Sequence, residues 1–172
     1  MKISVLGAGA MGGIVAIGLH RGGQDVTIID PWKPHAEAIR TTGFQISGFY
    51  GGERSEWKGV IPALHTDELD QVTEKLDLVF LSVKGYNTRR MCELIQPYLV
   101  DDAMVVSVQN GINEPTIAEV VGPQRTIGCE TLMGGQTWEP GHIHRTQGGT
   151  PGVMDYMVGE YQGGITPRVE RL

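Results

Sequence analysis

The hydrophobic positions alternate between short, nearly uninterrupted apolar runs and longer segments in which apolar residues recur at helical spacing. Residues 2–6 are β-branched and apolar, and 7–12 form a glycine-rich turn. Residues 10–21 carry Ile14, Ile17 and Leu19 on a helical pattern that Gly22-Gly23 stops. Residues 25–29 predict a second buried strand ending at Asp30, and 31–41 a helix. The polar stretch 44–60, flecked with aromatics, predicts a β-excursion. Residues 76–83 are almost wholly apolar, as a parallel strand covered on both faces must be. A helix over 89–98, a strand over 103–108, a helix over 114–121 and a strand over 126–133 follow. From residue 136 the pattern reads as a hairpin turning at Pro140-Gly141, with a strand over 142–145 and a last one over 153–159. Thr166-Pro167 predicts the start of a terminal helix of two turns at most. So short a helix cannot hold itself without packing, so the chain is expected to be part of a longer protein.

Strands alternating with helices predict an α/β fold, a doubly wound Rossmann-type sheet that is mostly parallel. Right-handed crossovers in such a sheet place the ligand outside the carboxyl ends of the strands, where the strand order reverses. The 172 residues suit a single domain spanning the whole chain. A net charge of −6 without a basic stripe argues against nucleic acid, which needs clustered Lys and Arg. No run approaches the roughly 20 apolar residues that span a bilayer. The apolar start after Lys2 is broken by Gly7, Gly9, Gly12 and Gly13, unlike a signal peptide. A cytoplasmic protein away from the membrane is expected. Cys92 and Cys129 sit in no CxxC pair and read as reduced thiols. His65, His142 and His144 lack a third ligand and do not read as a metal site.

Three places carry chemistry. Gly7-Ala8-Gly9-Ala10-Met11-Gly12 fits GxGxxG, directly after a strand and at the start of a helix. In that context Gly7 permits the tight turn, Gly9 lets a pyrophosphate approach the backbone, and Gly12 lets helix and strand pack closely. The pyrophosphate rests on the free N–H groups and positive dipole end of the helix. Asp30, 18 residues after Gly12, is placed to accept from the adenosine ribose hydroxyls and to repel a 2′-phosphate, which favours NAD over NADP. Lys33 and Arg40 are nearby cations that could meet a phosphate, and Asp30 could instead cap the following helix. Trp32 stands where it could lie against the adenine. Ser82-Val83-Lys84 and Gln109-Asn110-Gly111 end two strands and point to one shared crevice, although Asn-Gly is also a plain turn sequence.

Together, the glycine motif, Ser82-Val83-Lys84 with Thr88, Val108-Gln109-Asn110-Gly111, Glu139-Pro140-Gly141-His142-Ile143 and Val158-Gly159-Glu160 resemble the ketopantoate reductase family over essentially the whole chain. The glycine motif is common to many dehydrogenases; the lysine–threonine and Gln-Asn-Gly elements are more specific. The resemblance implies an N-terminal Rossmann domain followed by a helical domain that this chain lacks. It also implies NADPH-dependent reduction of 2-dehydropantoate to pantoate, toward pantothenate. Lys84 and Asn110 match the family residues beside nicotinamide and substrate. The family's general-acid lysine lies in the helical domain, so these residues alone are expected to bind cofactor but turn over poorly. Asp30 departs from the basic residue usual in NADPH users, which leaves NADP or NAD as the cofactor. The partner is then a small 2-oxo acid, and a homodimer stays open. A dehydrogenase of another hydroxy acid or an opine, and a non-catalytic NAD(P)-binding module, are the alternatives.

Overall fold

The computed structural model describes residues 1–172. In chain order the elements are β1 (Ile3–Leu6), α1 (Ala10–Arg21), β2 (Val26–Asp30), α2 (Lys33–Thr41), β3 (Phe44–Tyr50), β4 (Glu53–Arg54), β5 (Trp57–Gly59) and β6 (Ala63–His65). They continue with β7 (Leu76–Leu81), α3 (Thr88–Ile95), β8 (Leu99–Ser107), α4 (Glu114–Val121), β9 (Thr126–Thr131), β10 (Gly134–Glu139), β11 (His142–Gln147) and β12 (Tyr156–Glu160). Seven strands form one sheet in the order β12-β9-β8-β7-β1-β2-β6, parallel throughout except β12, which runs antiparallel to β9. Without that edge strand the order is the Rossmann one, and it reverses between β1 and β7. The second sheet, β10-β11-β3-β4 with β5 beside β3, holds the predicted hairpin and β-excursion.

Two apolar clusters hold the layers. On one face α1 lies between the sheets: Ile14, Ala16 and Ile17 pack with Ile3, Val5 and Ile28 below and with Phe44, Ile46 and Ile143 above. Gly13 makes this possible, since a Cβ there would come within 2.7 Å of both Phe44 and Ile143. On the other face Met91, Cys92 and Ile95 of α3 and Ile117 and Val121 of α4 cover Leu6, Ile29, Val79, Leu81 and Val105. No helix is long and apolar enough to cross a membrane.

The structure departs from the sequence expectations at several boundaries. α2 begins at Lys33 rather than at residue 31, because Trp32 is extended and donates its N–H to Asp30. α3 stops at Ile95, and a 3₁₀ turn containing Pro97 carries the chain to β8, which starts four residues early with an exposed Asp101-Asp102 pair inside it. β6 is too short to leave a periodic signal, yet it extends the sheet beyond β2. The terminal helix expected after Thr166 is a 3₁₀ turn, Val169–Arg171. Thr166 does not cap it with its hydroxyl, which donates to Glu160 Oε1 (2.6 Å), and Arg168 grips both oxygens of the same carboxylate. Arg145, buried on β11, lays its guanidinium 4.5 Å from the centre of the Tyr50 ring and leaves Nε without an acceptor.

Phe44 is fully buried at the junction of α1, α2 and the second sheet. Phe44→Ala is expected to cost about 3–5 kcal/mol. Urea unfolding followed by circular dichroism measures it, and a loss below about 1 kcal/mol would contradict this account of the core.

Candidate functional site

The switch point brings together the loops that follow β1 and β7. Gly7 takes φ +93°, and a Cβ on it would stand 2.8 Å from Val83 Cγ1 and 2.9 Å from Val83 N. Gly12 is held more tightly: its Cβ would lie 1.9 Å from the Gly7 carbonyl oxygen. These two glycines are therefore required by the protein's own packing. Gly9 is different. Its φ is −59°, and the nearest atom to a Cβ there would be Thr137 Oγ1 at 3.7 Å. Nothing inside the protein demands glycine at that position, so the missing side chain leaves room for something outside it. The N–H groups of Gly9, Ala10, Met11 and Gly12 make no hydrogen bond within the chain, and α1 adds the positive end of a three-turn helix. A nucleotide pyrophosphate fits this set of donors, because it is anionic and needs close backbone approach.

The loop is fixed from behind. Ala8 donates its N–H to Asp30 Oδ2 (2.6 Å), and Trp32 donates its N–H to Asp30 Oδ1 (2.7 Å). Asp30 is only 4% exposed. The carboxylate thus ties the glycine loop to the residue before α2 without capping that helix, whose N-cap is Trp32 and which has no side-chain cap hydrogen bond. Each oxygen keeps a further acceptor direction. Arg40 is paired with Glu68, whereas Lys33 is exposed. Trp32 is 45% exposed and stacks on the ring of His35.

Lys84 and Asn110 stand exposed just beyond the neighbouring strands β7 and β8. A hydrogen-bonded chain joins their loops. Gln109 Nε2 donates to the Val83 carbonyl (2.7 Å) and to Thr88 Oγ1 (2.9 Å). Thr88 Oγ1 donates to Asn113 Oδ1 (3.3 Å), and Asn113 Nδ2 donates to the Asn110 carbonyl (3.0 Å). Ser82 Oγ donates to the Val108 carbonyl (3.2 Å), joining the two strand ends directly. Gly111 takes φ +85°, which turns the chain away after Asn110. The crevice therefore offers a cation, an amide and a helix N-terminus in a chain whose overall charge is negative.

Sequence reasoning named Gly7, Ala8, Gly9, Ala10, Met11, Gly12, Asp30, Lys84 and Asn110 as candidates, and the fold gathers them around the ends of β1, β2, β7 and β8. It missed Asn113, His35 and Thr137, whose roles depend on contacts across the fold. The other histidines are engaged elsewhere: His20 meets the Trp57 ring edge-on, His65 Nδ1 accepts the Asp67 N–H, and His142 and His144 both contact Ser47 Oγ.

The parallel sheet, its reversal between β1 and β7 and the glycine loop at that point define a Rossmann-type domain. The chain belongs to the ketopantoate reductase family: the family model described as ketopantoate reductase PanE/ApbA matches residues 3–155. It is 36% identical over 145 residues to a 2-dehydropantoate 2-reductase of Pyrococcus horikoshii, covering 83% of this chain and 44% of that protein. It is 29% identical over 163 residues to a 2-dehydropantoate 2-reductase of Lactococcus lactis, covering 93% of this chain and 50% of that one. Among solved structures, 2-dehydropantoate 2-reductase from Geobacter metallireducens matches with a TM-score of 0.77 at 26% identity, over 99% of this chain and 53% of that one. D-mandelate dehydrogenase, solved with NADH and anilino(oxo)acetate, matches with a TM-score of 0.74 at 26% identity, over 86% of this chain and 46% of that one. The chain spans about half the length of the curated relatives it matches.

The two thiols stand apart from this site. Burial pushes Cys92 up to about 12 and Cys129 up to about 11, with Glu93 and Glu114 adding to the respective shifts. Both are expected to be inert to a thiol reagent at pH 8 in the folded chain and to react on unfolding. The folded chain keeps these protons at pH values where the unfolded chain releases them. Stability should therefore fall as pH rises above 9.0, the ordinary thiol value, toward 11–12. Urea midpoints at pH 8 and pH 10 check the sign; a higher midpoint at pH 10 would refute it.

Proposed function

We propose that these residues are the cofactor-binding part of an NAD(P)-dependent oxidoreductase that reduces a small 2-oxo acid, of the 2-dehydropantoate-to-pantoate kind that leads to pantothenate. The observation that carries the reading is Gly9, a glycine without an internal packing or backbone reason, set among four unpartnered N–H groups. Gly7, Ala8, Gly9, Ala10, Met11 and Gly12 would cradle the pyrophosphate, and Asp30 would accept from the adenosine ribose. The bound nicotinamide supplies the hydride. Lys84 and Asn110 would face the nicotinamide and the substrate. The Lys84 ammonium attracts a carboxylate, and the Asn110 amide orients the carbonyl by hydrogen bonding. A proton donor for the nascent alkoxide is also needed, and nothing in this crevice is assigned to it.

A carboxylate at the end of β2, with Arg40 already paired, favours NADH, the cofactor named with the D-mandelate dehydrogenase structure. That neighbour's anilino(oxo)acetate also supports a second reading, a dehydrogenase of a bulkier 2-oxo acid on the same site.

Calorimetric titration with NADH and NADPH at one salt concentration tests the proposal. NADH is expected to bind roughly tenfold tighter, a difference of about 1.4 kcal/mol. Tighter NADPH would remove Asp30 as a ribose ligand, and binding of neither would defeat the cofactor reading. In the same assay Gly9→Ala should abolish binding while shifting stability by no more than about 0.5 kcal/mol. Gly12→Ala should destabilise the fold itself by about 1–3 kcal/mol.

A further inference from the structure

We infer that His35, held as the neutral Nε2–H tautomer, is a positioning residue that aims the Gly9 N–H at the cofactor phosphate. The inference rests on the cofactor-binding reading of the glycine loop given above.

His35 lies on α2, remote in sequence from the loop, and is 1% exposed. The Gly141 N–H, at the turn between β10 and β11, donates to Nδ1 (3.0 Å). Nδ1 must therefore offer a lone pair, which leaves the proton of a neutral imidazole on Nε2. Nε2 lies 2.8 Å from the Ala8 carbonyl oxygen, and both groups are buried. The ring cannot slide, because Trp32 is stacked on one face at an interplanar angle of 4° and Phe44 meets its edge at 89°.

The consequence follows from peptide geometry. Ala8 C=O and Gly9 N–H share one planar trans peptide, so they point in opposite directions. Drawing the carbonyl inward onto His35 turns the Gly9 N–H outward, to the side where no protein atom accepts it. Asp30 fixes the preceding peptide through the Ala8 N–H, so two successive peptide planes are set from α2 and the end of β2. Without the imidazole donor, the Ala8–Gly9 plane is free to flip, and the phosphate would meet a carbonyl oxygen instead of an N–H. The same ring makes the loop sensitive to the β10–β11 hairpin, which supplies both Gly141 from its turn and Thr137 from β10.

Two near-isosteres separate this role from a merely structural one. A Gln amide reaches the position of Nε2 and keeps the donor to Ala8. An Asn amide reaches only the position of Nδ1 and keeps the acceptor for Gly141. NADH and NADPH affinities are measured by calorimetry for the unaltered chain, His35→Gln and His35→Asn, together with urea midpoints and the Gly9 amide resonance. His35→Gln is expected to stay within about threefold of the unaltered chain, and His35→Asn to weaken both cofactors by roughly tenfold or more with a shifted Gly9 amide. Equal affinities in the two variants would overturn the inference. So would a long-range ¹H–¹⁵N spectrum of the unaltered chain showing the proton on Nδ1, a measurement that needs neither variant to fold. If the unaltered chain binds neither cofactor, the functional reading fails. The clamp is then judged by the tautomer and by whether the Gly9 amide moves in His35→Asn but not in His35→Gln.

Discussion

The close approach of α1 to the end of β1 is the constraint on which the rest of this molecule depends. Gly12 sits so near the Gly7 carbonyl that a single methyl group would overlap it, and Gly7 in turn sits against Val83. That contact fixes the N-terminus of α1 at the point where the strand order reverses. It also directs four N–H groups into the crevice there. Gly13, one residue on, admits Phe44 and Ile143 and so lets the second sheet close over the same helix. One run of small residues thus sets the layering of the protein and the electrostatics of its site.

The second sheet contributes to the site as well as to the core. Its β10–β11 hairpin brings Thr137 to the mouth of the glycine loop and presents the Gly141 N–H to His35. On the other side of the crevice, the Gln109–Thr88–Asn113 hydrogen bonds bind the loops carrying Lys84 and Asn110 into one unit. Preorganisation of this kind matters wherever groups must meet in a fixed geometry, since a displacement of about 1 Å in a reacting group can cost roughly a hundredfold in rate. The charged and amide groups are exposed, whereas the groups that hold them are half-buried or buried, so loss of a supporting residue should disturb geometry before it disturbs charge.

The match to the ketopantoate reductase family takes in the glycine loop, Lys84 and the Gln-Asn-Gly turn, all within residues 3–155. The chain covers about half of its relatives' length. The carboxylate at the end of β2 is engaged twice by backbone N–H groups, so it fixes the geometry of the glycine loop as well as placing a negative charge beside it.

By itself the sequence determined those features that depend on local pattern. The order of strands and helices, the glycine loop, the helix over Glu114–Val121 and the Pro140-Gly141 turn follow from apolar periodicity and from residues that demand particular backbone angles. The strand-end residues Lys84 and Asn110 were legible for the same reason. The tertiary structure decided what depends on distance across the chain. A histidine on α2 becomes part of the glycine loop only because the loop folds over it, and β6 exists as a strand only because β2 offers it hydrogen-bonding partners. The terminal turn stays short because the Thr166 hydroxyl donates to Glu160 instead of accepting from the free N–H groups of the helix it would cap. Periodicity records which face of an element is buried; it carries no information about which distant polar group will complete that face's hydrogen bonds.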